Sequence, residues 1–186
     1  HDRNFWIWEK FEQNNKYLLT ADVARGDGAD NSVFHVVKLN TMEVVAEYQG
    51  KPSLDMYARI LYDAGMEFGN CLLVVENNGI GISVLEKLIN LGYPNLYYSI
   101  KSTHEFVEAV QGETMERAVA GFTTSTKTRP LIVAKLEEFI RNRMLTTYSS
   151  RIYHEMKTFI WHNGKPQAMR SYNDDLVMAL AIGCWI

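Results

Sequence analysis

The 186 residues suffice for one domain with a full core, and 47% hydrophobic against 22% charged residues is the balance of an ordinary globular chain. No apolar run reaches the roughly 18 residues of a membrane span, and the charged, aromatic start lacks the layout of a signal peptide. The net charge of -3 is unevenly spread: residues 1–116 sum to -8, residues 117–170 carry 10 Lys and Arg against 3 Asp and Glu, and residues 171–186 sum to -2. A basic stretch beside an acidic half suits a polyanion held against a metal-loaded acidic site; a solvated helix face is the plainer reading. Without an initiator Met the chain reads as a piece of a longer one. Cys71 and Cys184 both sit in apolar context and read as reduced core residues.

Residues 1–16, with Phe5, Trp6, Ile7, Trp8 and Phe11, read as a lead-in to a single domain spanning 17–186. Residues 17–22 form a first strand that ends in Asp22. A Gly/Asp turn with Asp27 and Asp30 follows, and residues 32–39 and 43–48 complete a three-strand antiparallel meander. Ser53 caps a helix with Leu54, Tyr57, Ala58, Leu61, Ala64 and Phe68 on one face, stopped by Gly69 and Asn70. Residues 71–75 are apolar without alternation, the mark of a strand buried on both faces and usually parallel; it ends in Glu76. A helix over 81–91 and an edge strand over 95–100 follow, then residues 101–117 as a short helix or loop. Residues 121–129 form a Thr-rich turn. Pro130 opens a helix over 131–143, residues 145–148 form a short strand, and Ser149 or Ser150 caps a helix over 151–159. Residues 160–169 form a hairpin around Asn163-Gly164, and an apolar helix over 176–186 closes the chain behind Asp174 and Asp175.

Three acidic features adjoin buried elements: Asp22, Glu76 and the pair Asp174-Asp175. Asp is a poor strand residue, and burying it without a partner is costly. If the first strand and the 71–75 strand lie parallel and adjacent, Asp22 and Glu76 emerge side by side at their C-terminal ends, where sites in open α/β sheets gather. Clustered carboxylates stay ionised together only with a cation between them. Oxygen ligands without a Cys or His cluster select Mg²⁺ or Mn²⁺, and two such ions suit phosphodiester hydrolysis. Each acid also has a plainer use: Asp174 or Asp175 as a helix cap, Glu76 as a salt-bridge partner, Asp27 and Asp30 as turn residues or outer metal contacts. His1, His35, His104, His154 and His162 show no ligand spacing, and neither G-x-S-x-G nor a phosphate-cradling Gly loop is present.

The order Leu19-Thr20-Ala21-Asp22 with Gly26 and Asp30, then Val74-Val75-Glu76-Asn77-Asn78-Gly79, then Asn173-Asp174-Asp175-Leu176, resembles the nuclease domain of the large terminase subunit of tailed bacteriophages, the T4-like packaging motors in particular. The resemblance extends to Gly121-Phe122-Thr123-Thr124 with Lys127, Arg129, Pro130 and Leu131, and to Phe159-Ile160-Trp161 with Asn163-Gly164-Lys165, so it covers residues 17–186. It implies an α/β, ribonuclease H-like mixed sheet, an antiparallel three-strand meander plus parallel strands, flanked by helices. It also implies a two-metal endonuclease that cuts concatemeric double-stranded viral DNA with little sequence preference in the cytoplasm of the infected host. Asp22, Glu76, Asp174 and Asp175 match the family's metal-binding and catalytic acids, with the principal ligand of the last pair left open. Asn173 stands where the family often has His. The implied partners are DNA, an ATPase motor domain of the same full-length chain, the portal and the small terminase subunit; a membrane is not among them.

Under this reading Lys127, Arg129, Arg141 and Arg143 hold the DNA backbone, which positions DNA without reading bases. The rival readings are a junction resolvase or other ribonuclease H-like nuclease, an actin-like nucleotide-binding domain, and a non-catalytic docking domain. The actin-like reading needs a second phosphate loop and a Gly-rich adenosine pocket, and the sequence has neither.

Overall fold

Five strands form the main sheet of the computed structural model, which describes residues 3–26, 28, 30–100 and 118–186: Phe5–Ile7 (β1), Tyr17–Asp22 (β2), Ser32–Lys38 (β3), Glu43–Gly50 (β4) and Leu72–Val75 (β5), in the order β1-β4-β3-β2-β5. Only β2 and β5 run parallel; the other neighbours are antiparallel. This is the mixed α/β sheet expected from the sequence. Successive side chains of a strand point to opposite faces, so each central strand feeds two cores. Leu19, Ala21, Phe34, Val36, Leu73 and Val75 pack under Leu54–Glu67 (α1) and Gly81–Asn90 (α2). Leu18, Val33, Val37, Val44 and Val74 pack on the other face, with Asp175–Trp185 (α5), whose residues from Asp175 to Cys184 are all buried. A helix apolar all round needs cover on every side. The sheet supplies one side, and Thr128–Arg141 (α3) and Ser150–Thr158 (α4) supply the rest. Each fully buried Leu, Val or Ile in these layers contributes about 1.5–3 kcal/mol.

The remaining strands form two ribbons. Tyr98–Ile100 (β6) pairs with Ala118–Ala120 (β7), and Phe159–His162 (β8) pairs with Lys165–Ala168 (β9). The β8–β9 turn is Asn163-Gly164, with φ of 50° and 74°, the double positive φ that selects Asn-Gly in two-residue hairpins.

Local signals held well. Ser53 caps α1 and Ser149 caps α4, each accepting from the N–H three residues on, and both cysteines are free and buried. Elsewhere the structure departs from expectation. The lead-in contributes β1, which pairs with β4 through Phe5, Trp6 and Ile7. The expected strand at 145–148 reduces to one bridge between Thr146 and Glu43, because β1 already occupies the edge of β4 from Ala46 onward. The expected edge strand at 95–100 divides: Leu96 bridges to Leu73, and Tyr98 onward pairs with β7. The Thr-rich stretch begins as paired backbone, with Phe122 bridged to Glu76. α3 starts at Thr128, so Pro130 lies inside its first turn, where no intrahelical N–H is lost. It ends at Arg141, and Arg143 follows in a left-handed conformation with φ of 55°. His1, Asp27, His104 and the 101–117 segment lie outside the described residues.

One close approach pins the end of β5. A Cβ on Gly81 would fall 1.9 Å from the carbonyl oxygen of Glu76. Gly81→Ala is expected to force α2 away from that strand end and to destabilise by roughly 2–4 kcal/mol, read as a lower urea midpoint at unchanged slope.

Candidate metal centre

The parallel pair β2–β5 places the first two acids. Ala21 lies beside Val75, and the Glu76 N–H continues the ladder by donating to the Ala21 carbonyl at 2.9 Å, so Asp22 and Glu76 are the next neighbours. Alternation puts Asp22 with Leu18, and Glu76 with Val74, on the face that α5 covers. On the opposite side the Tyr57 hydroxyl of α1 donates to the Val33 carbonyl at 2.6 Å and lies 3.2 Å from the Asp22 carbonyl, bracing the end of β2.

The Asp22 and Glu76 carboxyls stand within hydrogen-bonding range. Two carboxylates come that close only with a proton or a cation to share. Burial above all, then the Glu76 and Asp175 charges, hold the Asp22 carboxyl well above the usual carboxylate range, against an opposing hydrogen bond from the Val23 N–H. Asp175, the first residue of α5, is the third acid whose charge bears on Asp22. Its Oδ2 accepts from the Asn31 N–H at 2.8 Å and the Asn173 amide at 3.2 Å. Burial, with Asp30 and Asp174 nearby, pushes its carboxyl up to about 6. Asp30 of the Gly loop thus joins the same field, and with Arg25, Glu76, Asn78 and Gly79 it lines a cleft of about 510 Å³ beside the acids.

Asp174 turns elsewhere. Its Oδ2 accepts from the Arg129 guanidinium and from the Ala168 N–H at 3.0 Å, while Arg129 Nε donates to the Pro166 carbonyl at 2.9 Å. Arg129, expected on DNA phosphate, ties α3, β9 and the start of α5 together. Asp174 gives its own helix no side-chain cap. Glu155, from the middle of α4, takes that place: its Oε2 accepts from the N–H groups of Leu176 at 2.8 Å and Val177 at 3.2 Å. Burial pushes the Glu155 carboxyl up to about 8, with the Asp175 and Asp174 charges adding to the rise and the two backbone N–H groups opposing it.

His35 lies in the same layer, fully buried, with Nε2 3.0 Å from the Leu176 carbonyl and Nδ1 3.6 Å from Glu47. Since a carbonyl can only accept, Nε2 carries the proton. Glu47 in turn accepts from Ser149 and Arg151 at 2.8 and 2.7 Å.

Of the other expected cationic contacts, Lys127 is exposed on the loop leading into α3. That loop is held to the acids by the Asn78 amide, which donates to Glu76 at 3.0 Å and to the Thr124 carbonyl at 2.7 Å. Arg141 lies at the opposite end of α3, roughly 18 Å from Arg129 at 1.5 Å per residue, and pairs with Glu137. Arg143 follows it. Sequence reasoning missed Glu155, although a signal existed: Ile152, Glu155, Met156 and Phe159 share one helical face, and an acid on an apolar stripe needs a buried partner.

Among the described residues no three His, Cys, Asp or Glu side chains already close on one point as a finished cage. The all-oxygen donor set, with Glu76 beside the Asp22 carboxyl and with Asp22 and Asp175 both desolvated, nonetheless fits a hard divalent cation. No described helix is long and apolar enough to cross a membrane.

No protein-family model matches the chain, and no curated protein matches it in sequence. Solved structures do. The large terminase nuclease of thermophilic phage G20c with bound magnesium superposes with a TM-score of 0.76 at 16% identity, over 100% of this chain and 88% of that one. Its form with bound cobalt matches to the same degree. The large terminase nuclease domain of Thermus phage P74-26 gives 0.72 at 16% identity, over 96% of this chain and 83% of that one. The fold is that of the large terminase nucleases.

Proposed function

We propose that the chain is a divalent-metal-dependent endonuclease that cuts double-stranded viral DNA during genome packaging. The observation that carries the reading is the pairing of Asp22 and Glu76 at the ends of β2 and β5, with the Asp175 charge of α5 bearing on Asp22, in a terminase-nuclease fold. Asp22, Glu76 and Asp175 would hold the metal, and Asp174 would support them through Arg129. The donor chemistry favours Mg²⁺ or Mn²⁺, and the magnesium form of the G20c nuclease supports a divalent ion. The chemistry bound ions supply, two in this reading, is activation of water and neutralisation of the departing oxygen of the phosphodiester. Glu76 is oriented for this by Asn78, and Asp175 by Asn31 and Asn173. Lys127 stands where it can meet a backbone phosphate next to Glu76, while Arg141 and Arg143 would reach DNA further along the duplex. The motor domain, portal and small terminase subunit are the expected partners, in the cytoplasm of an infected host.

The test is cleavage of supercoiled plasmid. Nicking and linearisation are expected with Mg²⁺ or Mn²⁺, none with EDTA, and a steep decline with salt because phosphate contacts release counterions. Linear duplex, a four-way junction and an RNA–DNA hybrid complete the panel. Strong preference for the junction would replace the packaging reading with a resolvase.

A further inference from the structure

We propose that Glu155 is a positioning residue for the metal-binding carboxylates: as the imported cap of α5, it fixes the backbone from which Asp175 reaches toward Asp22. The inference rests on the metal-nuclease reading above. A helix cap ordinarily comes from the residue just before the helix, whose side chain accepts from the second and third helical N–H groups. In α5 those groups are Leu176 N and Val177 N, and both donate to Glu155 Oε2. The residue in the capping position, Asp174, is committed to Arg129 and Ala168.

The arrangement is anchored on every side. Glu155 sits within α4, whose own start is capped by Ser149, and Gln49 of β4 donates to Glu155 Oε1 at 3.4 Å. The carbonyl of Leu176 meets His35. The residue after Asp175 is therefore held at its N–H by one side chain and at its carbonyl by another. Stability alone does not call for this design, since Asp174 could cap the helix without burying a further carboxyl among acids. Precision explains it better: a ligand carboxylate must sit within about 0.5 Å of its productive place, and a frayed first turn would let Asp175 drift.

The test compares Glu155→Ala, Glu155→Asp and Glu155→Gln with Ser53→Ala, which removes the cap of α1. Mn²⁺ binding is followed by the loss of the free-ion electron paramagnetic resonance signal, and the melting temperature is measured in EDTA. Glu155→Ala is expected to weaken Mn²⁺ binding about 10- to 100-fold, the usual effect of losing a support behind metal ligands. Glu155→Asp keeps the charge but is one methylene too short to hold both N–H groups, so it should weaken binding about tenfold; it decides the matter if the Ala variant does not fold. Glu155→Gln, whose amide oxygen still accepts both bonds, should stay within a few-fold of wild type. Ser53→Ala should lose stability and leave Mn²⁺ affinity unchanged. Wild-type affinity in a folded Glu155→Asp variant would overturn the proposal, as would a loss in Ser53→Ala matching its drop in melting temperature. A wild-type protein that binds no Mn²⁺ would overturn the metal reading itself.

Discussion

Asp22→Asn is expected to abolish metal-dependent plasmid cleavage, by on the order of 10³-fold or more, and at the same time to make the metal-free protein more stable. The first effect follows from its place in the centre. Changing a residue that merely supports a metal ligand costs 10- to 100-fold, and Asp22 is proposed as a ligand itself. The second follows from its surroundings. The wild-type carboxyl is held in desolvated space against Glu76 and within the field of Asp175. An amide of the same shape still accepts from the Val23 N–H at Oδ1, and its NH₂ can donate to Glu76. Relief of about 1–2 kcal/mol corresponds to roughly 2–8 °C in melting temperature for a domain of this size. Calorimetry in EDTA beside the cleavage assay checks both. A variant that loses activity and stability together would mean that Asp22 is a structural residue.

The second large effect is a pH dependence with an unusual sign. Asp22 is raised well above its ordinary value, Asp175 to about 6 and Glu155 to about 8. A carboxyl whose native pKa exceeds its unfolded value binds more protons when folded. Its contribution is fully present below the unfolded pKa and is lost as pH rises through the native one. In EDTA, stability should therefore fall from about pH 4 to about pH 8. Asp175 alone, moving from 3.8 to about 6, accounts for up to about 3 kcal/mol at 1.36 kcal/mol per pH unit. His35, kept neutral by burial, works in the opposite direction below about pH 6.5, so the curve should flatten on its acid side. Mn²⁺ or Mg²⁺ binds the native state and should restore about 2.7 kcal/mol at a hundred times its dissociation constant. Asp22→Asn should show a shallower slope and little metal rescue. Thermal melts across pH, with and without metal, read all of this; wild-type stability rising between pH 5 and 8 in EDTA would contradict the clustered acids.

What the sequence disclosed and what it hid divide along physical lines. Asp22 and Glu76 were legible because each interrupts an apolar strand at its end, and the unalternating run before Glu76 signalled a parallel neighbour. The Asn163-Gly164 turn and the Ser53 cap were legible because their causes lie within four residues. The pairing of Arg129 with Asp174 was not legible because the two lie 45 positions apart, and no local pattern joins them. The strand at Phe5–Ile7 was hidden because an edge strand of three residues has too little length to show a period, and its pairing is decided by β4. Glu155 was passed over because the groups it serves, the first N–H groups of α5, lie 21 and 22 positions further on.

The position of α5 also bears on when the proposed nuclease would become active. Asp22 and Glu76 come together as soon as β2 and β5 pair, but Asp175 arrives from near the end of the described chain. During synthesis the ribosome releases the sheet long before the last helix, so the nascent protein holds two of three acids beside an uncovered apolar face. Under the proposed function a half-made copy would be an unarmed one, and cutting would begin only when α5 docks, after the rest of the sheet and its flanking helices have been made.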